Sequence, residues 1–314
     1  MKLTDRILYN LLYGVLWCIS LVPLCLLYLV SDLIAGLLHT VIRYRRRVVR
    51  ENLASSFPQM SKKELARIER RFYRFLTDYA FETIKMLSMS ERTIMRRMKV
   101  ENPEMVLEAV ENNKSVTLLL GHYCNWEWVS SLPLWFIEEQ PDAQPAQVFH
   151  HLHNLVMGEI FMRIRTRFRS NNIEMAEIMR RLIVWKREGK PSVTGFIADQ
   201  CPSLDVHLFV DFLNHDTLVF TGPERIARFL DSRVLFCHLS RPKRGYYSLR
   251  YVKITDNPKK ETTFEITKEY FRMLQANIEE APQYWLWSHR RWKRTRADFM
   301  AFWGDHAEKQ LSHL

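Results

Sequence analysis

The chain has 314 residues, 47 % of them hydrophobic and 12 % aromatic, which excludes disorder over most of its length. Its formal net charge of +11 calls for an anionic partner: nucleic acid, an anionic membrane surface, an acidic protein or a phosphorylated substrate. The five cysteines, odd in number and without a Cys-x-x-Cys pair, exclude a disulfide framework and a zinc ribbon, and suit a reducing compartment.

From Ile7 to Ser31 no residue is charged. As a helix rising about 1.5 Å per residue, that run is long enough for a hydrocarbon core of roughly 30 Å. The expectation is an N-terminal transmembrane helix, kinked rather than ended by Pro23, with residues 1–43 as a retained membrane anchor. A cleaved signal peptide fits less well, because the run is long and no small-x-small cleavage site comes after it. A second apolar patch, Leu33 to Ile42, is expected to lie along the interface. Arg43, Arg45, Arg46, Arg47 and Arg50 come next, against Lys2 and Arg6 before the run. That asymmetry predicts a single-pass anchor with the domain at 44–314 on the cytoplasmic side, and the same arginines can bind anionic headgroups.

Residues 44–100 read as helical. Leu65, Ile68, Phe72, Phe75, Leu76 and Tyr79 recur at three- and four-residue steps, with Ser61 and Glu64 as N-cap and its partner. Val116 to Leu120, closed by Gly121, has the look of a buried parallel strand. A helix start is expected over Asn125 to Ile137, its regularity limited by Pro133. Further strands are expected at Gln147–Phe149, Ser192–Ala198, Leu208–Leu213, Val234–Leu239 and Tyr247–Ile254. Helices are expected at Gly158–Phe168, Ile173–Arg187, Pro223–Leu230 and Thr267–Glu280. The alternation predicts an α/β fold with a mixed, mostly parallel central sheet flanked by helices.

The strongest chemical signal is Gly121-His122-Tyr123-Cys124-Asn125-Trp126-Glu127-Trp128. A histidine at the C-terminal end of a strand stands where α/β sheets place their sites. With His122 in the turn and Glu127 on the first turns of the helix, the carboxylate can reach one ring nitrogen and orient the other as a base. Such a pair can take a proton from an alcohol that attacks an acyl thioester. Alone, the spacing also fits a structural histidine.

In that context the sequence resembles the lipid A biosynthesis acyltransferases, the late acyltransferases of the lysophospholipid acyltransferase superfamily. The resemblance runs over most of the chain. Glu51-Asn52-Leu53-Ala54-Ser55-Ser56-Phe57-Pro58 looks like the family's segment after the anchor, and His122 with Glu127 matches its His-x4-Glu motif. Phe149 through Asn154, Arg165-Thr166-Arg167-Phe168 and Ala198-Asp199-Gln200 resemble later motifs. So do Asp211-Phe212-Leu213, Thr217, Thr221-Gly222-Pro223 and Ala227, and the closing Gln283-to-Lys293 signature. Departures stand at His150, Arg169 and Leu213-Asn214, where acceptor recognition can differ.

The resemblance implies transfer of a fatty acyl chain from acyl carrier protein to a hydroxyl of a Kdo-bearing lipid A precursor at the inner membrane. His122 would be the general base, oriented by Glu127. Arg165, Arg167, Asp199, Gln200 and Asn154 would bind substrate. No cofactor is implied beyond the acyl-acyl carrier protein co-substrate, and no metal. The acidic carrier protein and the phosphorylated glycolipid acceptor both suit the basic surface. Arg163, Arg165 and Arg167 can bind either one, stabilise the oxyanion or form a solvated helix face. Asp199 can orient an arginine or the acceptor, or merely form a turn. Trp285, Trp287 and Trp292 fit a membrane interface or a core.

Other readings weigh less. His150, His151 and His153 near Glu159 match no standard metal spacing. Cys124 is awkwardly close to His122 for a nucleophile. Nucleic-acid binding lacks a recognisable module. An acyltransferase acting on another lysolipid or glycolipid remains an alternative. A membrane scaffold that only binds lipid or carrier protein would need neither His122 nor Glu127.

Overall fold

A computed structural model of the chain describes residues 3–150 and 154–311. The apolar N-terminus folds as two helices, α1 (Leu3–Leu21) and α2 (Leu24–Thr40), which meet at 114°. No single helix is long and apolar enough to cross a membrane, although the bent pair passes together by length and composition. This corrects the expected single transmembrane helix. Pro23 is the cause. It lacks an N–H and sits at φ −55°, ψ 139°, so it leaves the helical region and caps α2 instead of bending one continuous helix. Both helices keep an apolar face in the open: Ile7, Leu11 and Val15 on α1, Leu29, Leu33 and Leu37 on α2, then Val41 and Ile42.

The rest of α2 belongs to the body of the protein. After α3 (Arg46–Ser56) comes the long α4 (Lys62–Lys85), opened by the expected Ser61–Glu64 capping box, which is worth about 1 kcal/mol. Leu24 and Leu27 of α2 are buried in the core that also takes Ile68 and Phe72 of α4. Ser31 donates to Asp78 at 2.7 Å, and Arg244 ties Asp32 to Asp78. Residues 44–100 are thus not helical throughout: α5 (Glu91–Arg97) leads into a short strand, β1 (Met98–Val100).

The remaining elements run α6 (Glu104–Glu111), β2 (Val116–Leu120), β3 (Gln144–Phe149), α7 (Leu155–Arg165), β4 (Asn171–Glu174), α8 (Ile178–Arg187) and β5 (Ser192–Ile197). A hairpin comes next, β6 (Leu208–Phe212) with β7 (His215–Val219). Then come α9 (Gly222–Leu230), β8 (Arg233–Lys243), β9 (Tyr246–Thr255), α10 (Glu265–Glu280), α11 (Arg296–Trp303) and α12 (Ala307–Leu311). The main sheet has the order β1-β9-β8-β2-β5-β3-β4. Only β8 and β9 pair antiparallel, so the sheet is mixed and mostly parallel, as the alternation predicts. Every residue of β2 is buried, which explains its unbroken apolar run.

Three local expectations change. Asn125–Ile137 gives a 3-10 helix, Trp128–Trp135, because Pro133 lies inside it and withholds a backbone donor. The front of the expected Ile173–Arg187 helix is strand β4, which pairs with β3 from Asn171 to Glu174. β7 escapes the sequence because His215-Asp216-Thr217 reads as polar. The hairpin turns on Leu213 and Asn214, both left-handed at φ 52° and 62°. Asn214 donates to the Ser56 carbonyl, and Gln275 accepts from the Leu213 N–H. Trp285 and Trp287 are buried, which makes them core residues.

Candidate active site

β2 and β5 lie side by side and parallel, in register from Val116↔Val193 to Leu120↔Ile197. The loops that leave the two strands are therefore brought together at one end of the sheet. β2 runs into Gly121-His122, and β5 runs into Ala198-Asp199-Gln200. Gly121 is favoured by close approach: a Cβ there would sit 2.6 Å from a Leu274 methyl and 3.3 Å from an Asp199 carboxylate oxygen, so either side chain would have to shift.

The His122 imidazole is held at both nitrogens. Nδ1 lies 2.6 Å from Asp199 Oδ1, and the Gln200 amide nitrogen lies 3.0 Å from Nε2. With Asp199 accepting from Nδ1–H, Nε2 carries the lone pair and the Gln200 amide donates to it. The second Asp199 oxygen accepts from the His122 backbone N–H at 2.9 Å and from the Trp285 indole at 2.8 Å. Asp199 is buried, at 2 % exposed. Burial alone would raise its carboxyl, but attraction to His122 and the bonds from His122 and Trp285 outweigh it and bring it down to about 2. Trp126 meets the imidazole edge-on, with ring centres 5.2 Å apart.

The carboxylate on the ring is thus Asp199, where Glu127 was expected. Cys124 takes a left-handed conformation, φ 52°, and its N–H bonds the Tyr284 carbonyl, so the chain turns sharply between His122 and Glu127. Glu127 stands just before the 3-10 helix and faces α7. There Arg165 grips it with two bonds, 2.8 and 2.6 Å, and the Tyr79 hydroxyl lies 3.5 Å away. Burial works against the Arg165 charge, yet the bonds and attraction from Glu127 carry its pKa above the ordinary arginine value. Burial likewise pushes the Cys124 thiol well up, which leaves it a poor nucleophile.

His122, Glu127, Arg165 and Gln200 all line one cavity of about 280 Å³, whose remaining wall is mainly apolar, with Leu118, Leu132, Phe136 and Ile197 among its residues. His150 lines it as well. Two expected substrate contacts fall elsewhere. Asn154 caps α7 by accepting from the Met157 N–H, and Arg167 donates to the Met89 carbonyl. Arg163 stacks over Tyr13 and bonds its hydroxyl. Leu213-Asn214 stands at the hairpin turn, outside the lining. Among the described residues no group of three or more His, Cys, Asp and Glu gathers as metal ligands, and His151 and His153 lie outside those residues.

Sequence reasoning missed the support beneath the site. Glu82 of α4 is fully buried and accepts from Tyr247 at 2.6 Å, Asn125 at 2.8 Å and Tyr28 at 2.8 Å, with Arg241 at 3.2 Å. Asn125 in turn accepts from the Trp128 N–H, so this carboxylate anchors the loop that carries His122 and Glu127. The only sequence signal was a glutamate on the apolar face of α4.

The chain's relatives bear on this geometry. The model of the bacterial lipid A biosynthesis acyltransferase family matches residues 1–294. A lipid A biosynthesis palmitoleoyltransferase of Escherichia coli (strain K12) is 22 % identical over 281 residues, 89 % of each chain. A lipid A biosynthesis acyltransferase of Shigella flexneri matches to the same extent. With a family match over nearly its whole length, the chain belongs to the bacterial lipid A biosynthesis acyltransferases.

Proposed function

We propose that the protein transfers a fatty acyl chain from acyl carrier protein to a hydroxyl of a Kdo-bearing lipid A precursor, with His122 as general base held by Asp199. The observation that carries this reading is a carboxylate-bound imidazole opening onto an apolar cavity. The cavity takes the acyl chain, and its polar end holds the thioester against His122. The acceptor hydroxyl displaces the Gln200 amide from Nε2. As its oxygen attacks the thioester carbonyl, its proton passes to Nε2, and Asp199 stabilises the imidazolium. The tetrahedral intermediate then collapses. The carbon–sulfur bond breaks, and the carrier's thiolate leaves with the proton from Nε2.

Arg165, fixed by Glu127, lines the same cavity and can face the oxygen that becomes negative in the intermediate. In this reading Glu127 positions Arg165 and not His122. The exposed apolar face of α1 and α2 supports attachment to the inner membrane, and the arginines after α2 support a cytoplasmic catalytic face. The net charge of +11 favours an acidic carrier protein as donor.

The test gives purified protein a fatty acyl carrier protein and a panel of lipid acceptors. His122→Ala is expected to lose transfer by about 10³-fold or more. A variant as fast as wild type removes His122 as the base. Mass spectrometry of lipids from cells lacking the gene reads the acceptor. A missing acyl chain on lipid A supports the proposal, and a change confined to phospholipids points to another lysolipid.

A further inference from the structure

A cleft between the start of α3 and the segment after Trp287 takes no part in the proposed chemistry. It encloses about 840 Å³ and is lined by Arg43, Arg45, Arg46, Arg47, Arg290 and Lys293. Glu51, in the same lining, pairs with Arg47 at 2.6 Å, and Arg46 is taken by Glu69 at 2.6 Å. The others meet no carboxylate among the described residues. Arg43 reaches the Thr40 carbonyl at 3.4 Å and Arg45 the Ser288 carbonyl at 3.0 Å. Arg290 and Lys293 make no side-chain hydrogen bond or ion pair among the described residues.

This concentration of cations is built against local stability. The first turn of α3 carries no acidic residue and its N-cap makes no side-chain bond, so arginines crowd the positive end of the helix dipole. Arg43 and Arg45 both adopt left-handed backbone, at φ 54° and 49°. Residues with a Cβ hold that conformation only when their surroundings enforce it.

The position of the cleft says which anion its cations suit. The exposed Val41 and Ile42 come immediately before Arg43, so the cleft begins where the apolar face ends. On the opposite wall, the segment that presses Trp285 onto Asp199 continues to Arg290 and Lys293. Asn52 clamps that segment to α3 through the Trp287 and His289 carbonyls. Trp292 in the lining is pinned by stacking on His215 at 3.8 Å and by a bond to Thr217. Along the chain, the cleft is thus flanked by exposed apolar residues on one side and by the segment that reaches the His122 site on the other.

We propose that this cleft seats the phosphate-bearing head of the acceptor glycolipid. The proposal rests on the lipid A reading of the His122 site. The test compares a lipid A disaccharide carrying its phosphates with the same lipid dephosphorylated. In wild type, kcat/KM favours the phosphorylated acceptor by about 30-fold, the scale of one or two charge-assisted bonds. In the triple variant Arg43→Ala, Arg290→Ala, Lys293→Ala that preference falls to within about 3-fold of unity. An unchanged preference overturns the proposal. So does an equal loss on both acceptors that tracks lost binding to phosphatidylglycerol vesicles, which makes the cleft a general membrane patch. Equilibrium binding of the two lipids to His122→Ala protein, with and without the triple substitution, needs no turnover. If wild type acylates neither acceptor, the lipid A reading fails, and this binding arm still decides the cleft. Loss of phosphate-dependent binding upholds it, and binding indifferent to the triple substitution overturns it.

Discussion

The two ends of the segment 284–293 handle charge in opposite ways. At one end Trp285 completes the shell of Asp199, whose two oxygens accept three bonds within 2.9 Å. At the other end Arg290 and Lys293 line a cleft and, among the described residues, neither pairs with a carboxylate. The first region is buried, so each polar group must be matched inside the protein, because an orphan there costs about 1–3 kcal/mol. The second is open, so water can solvate its cations until a ligand replaces it. On the proposed reading, the site that aims one proton is finished in advance, and the site that captures a charged head is left incomplete.

The largest effect should come from disturbing the finished end. Asp199→Asn keeps the shape but loses the charge that fixes the His122 tautomer, and kcat is expected to fall by about 10³–10⁴-fold. Because the carboxyl sits at about 2, below its ordinary 3.8, its stabilisation is complete above pH 3.8 and is lost as pH falls toward 2. The stability that the ionised Asp199 contributes should therefore be constant above about pH 4 and fall below it. Steady-state rates check the first point, and unfolding free energies across pH check the second.

A smaller effect should come from the support under the loop. Glu82→Gln removes the buried charge facing Arg241, and the unfolding free energy should drop by about 3 kcal/mol, the lower end for a broken buried pair because Asp78 still holds Arg241. That corresponds to a Tm lower by roughly 6–12 °C, read by thermal unfolding. An unchanged Tm would show that the loop does not depend on this carboxylate.

Much of this architecture was legible in the sequence. The apolar run at Val116–Leu120, its closing glycine and the Ser61–Glu64 cap each express a single local rule, and the structure obeys them. The partner of His122 was not legible. His-x4-Glu suggests a pair by nearness in the chain, whereas Asp199 reaches the ring because β5 lies beside β2, and strand order is not a local property. The same holds for Glu82, whose partners come from Tyr28, Asn125, Arg241 and Tyr247. At the N-terminus, hydropathy recorded the apolar residues correctly. It could not show that Pro23 breaks the helix fully, since that depends on α2 finding a groove on α4.

The claim that Asp199, and not Glu127, holds the base is tested most directly by nuclear magnetic resonance of the His122 ring in ¹⁵N-labelled protein. The expected result is a downfield Nδ1 proton that persists in Glu127→Gln and is lost in Asp199→Asn. A resonance that survives Asp199→Asn and disappears in Glu127→Gln would contradict the claim.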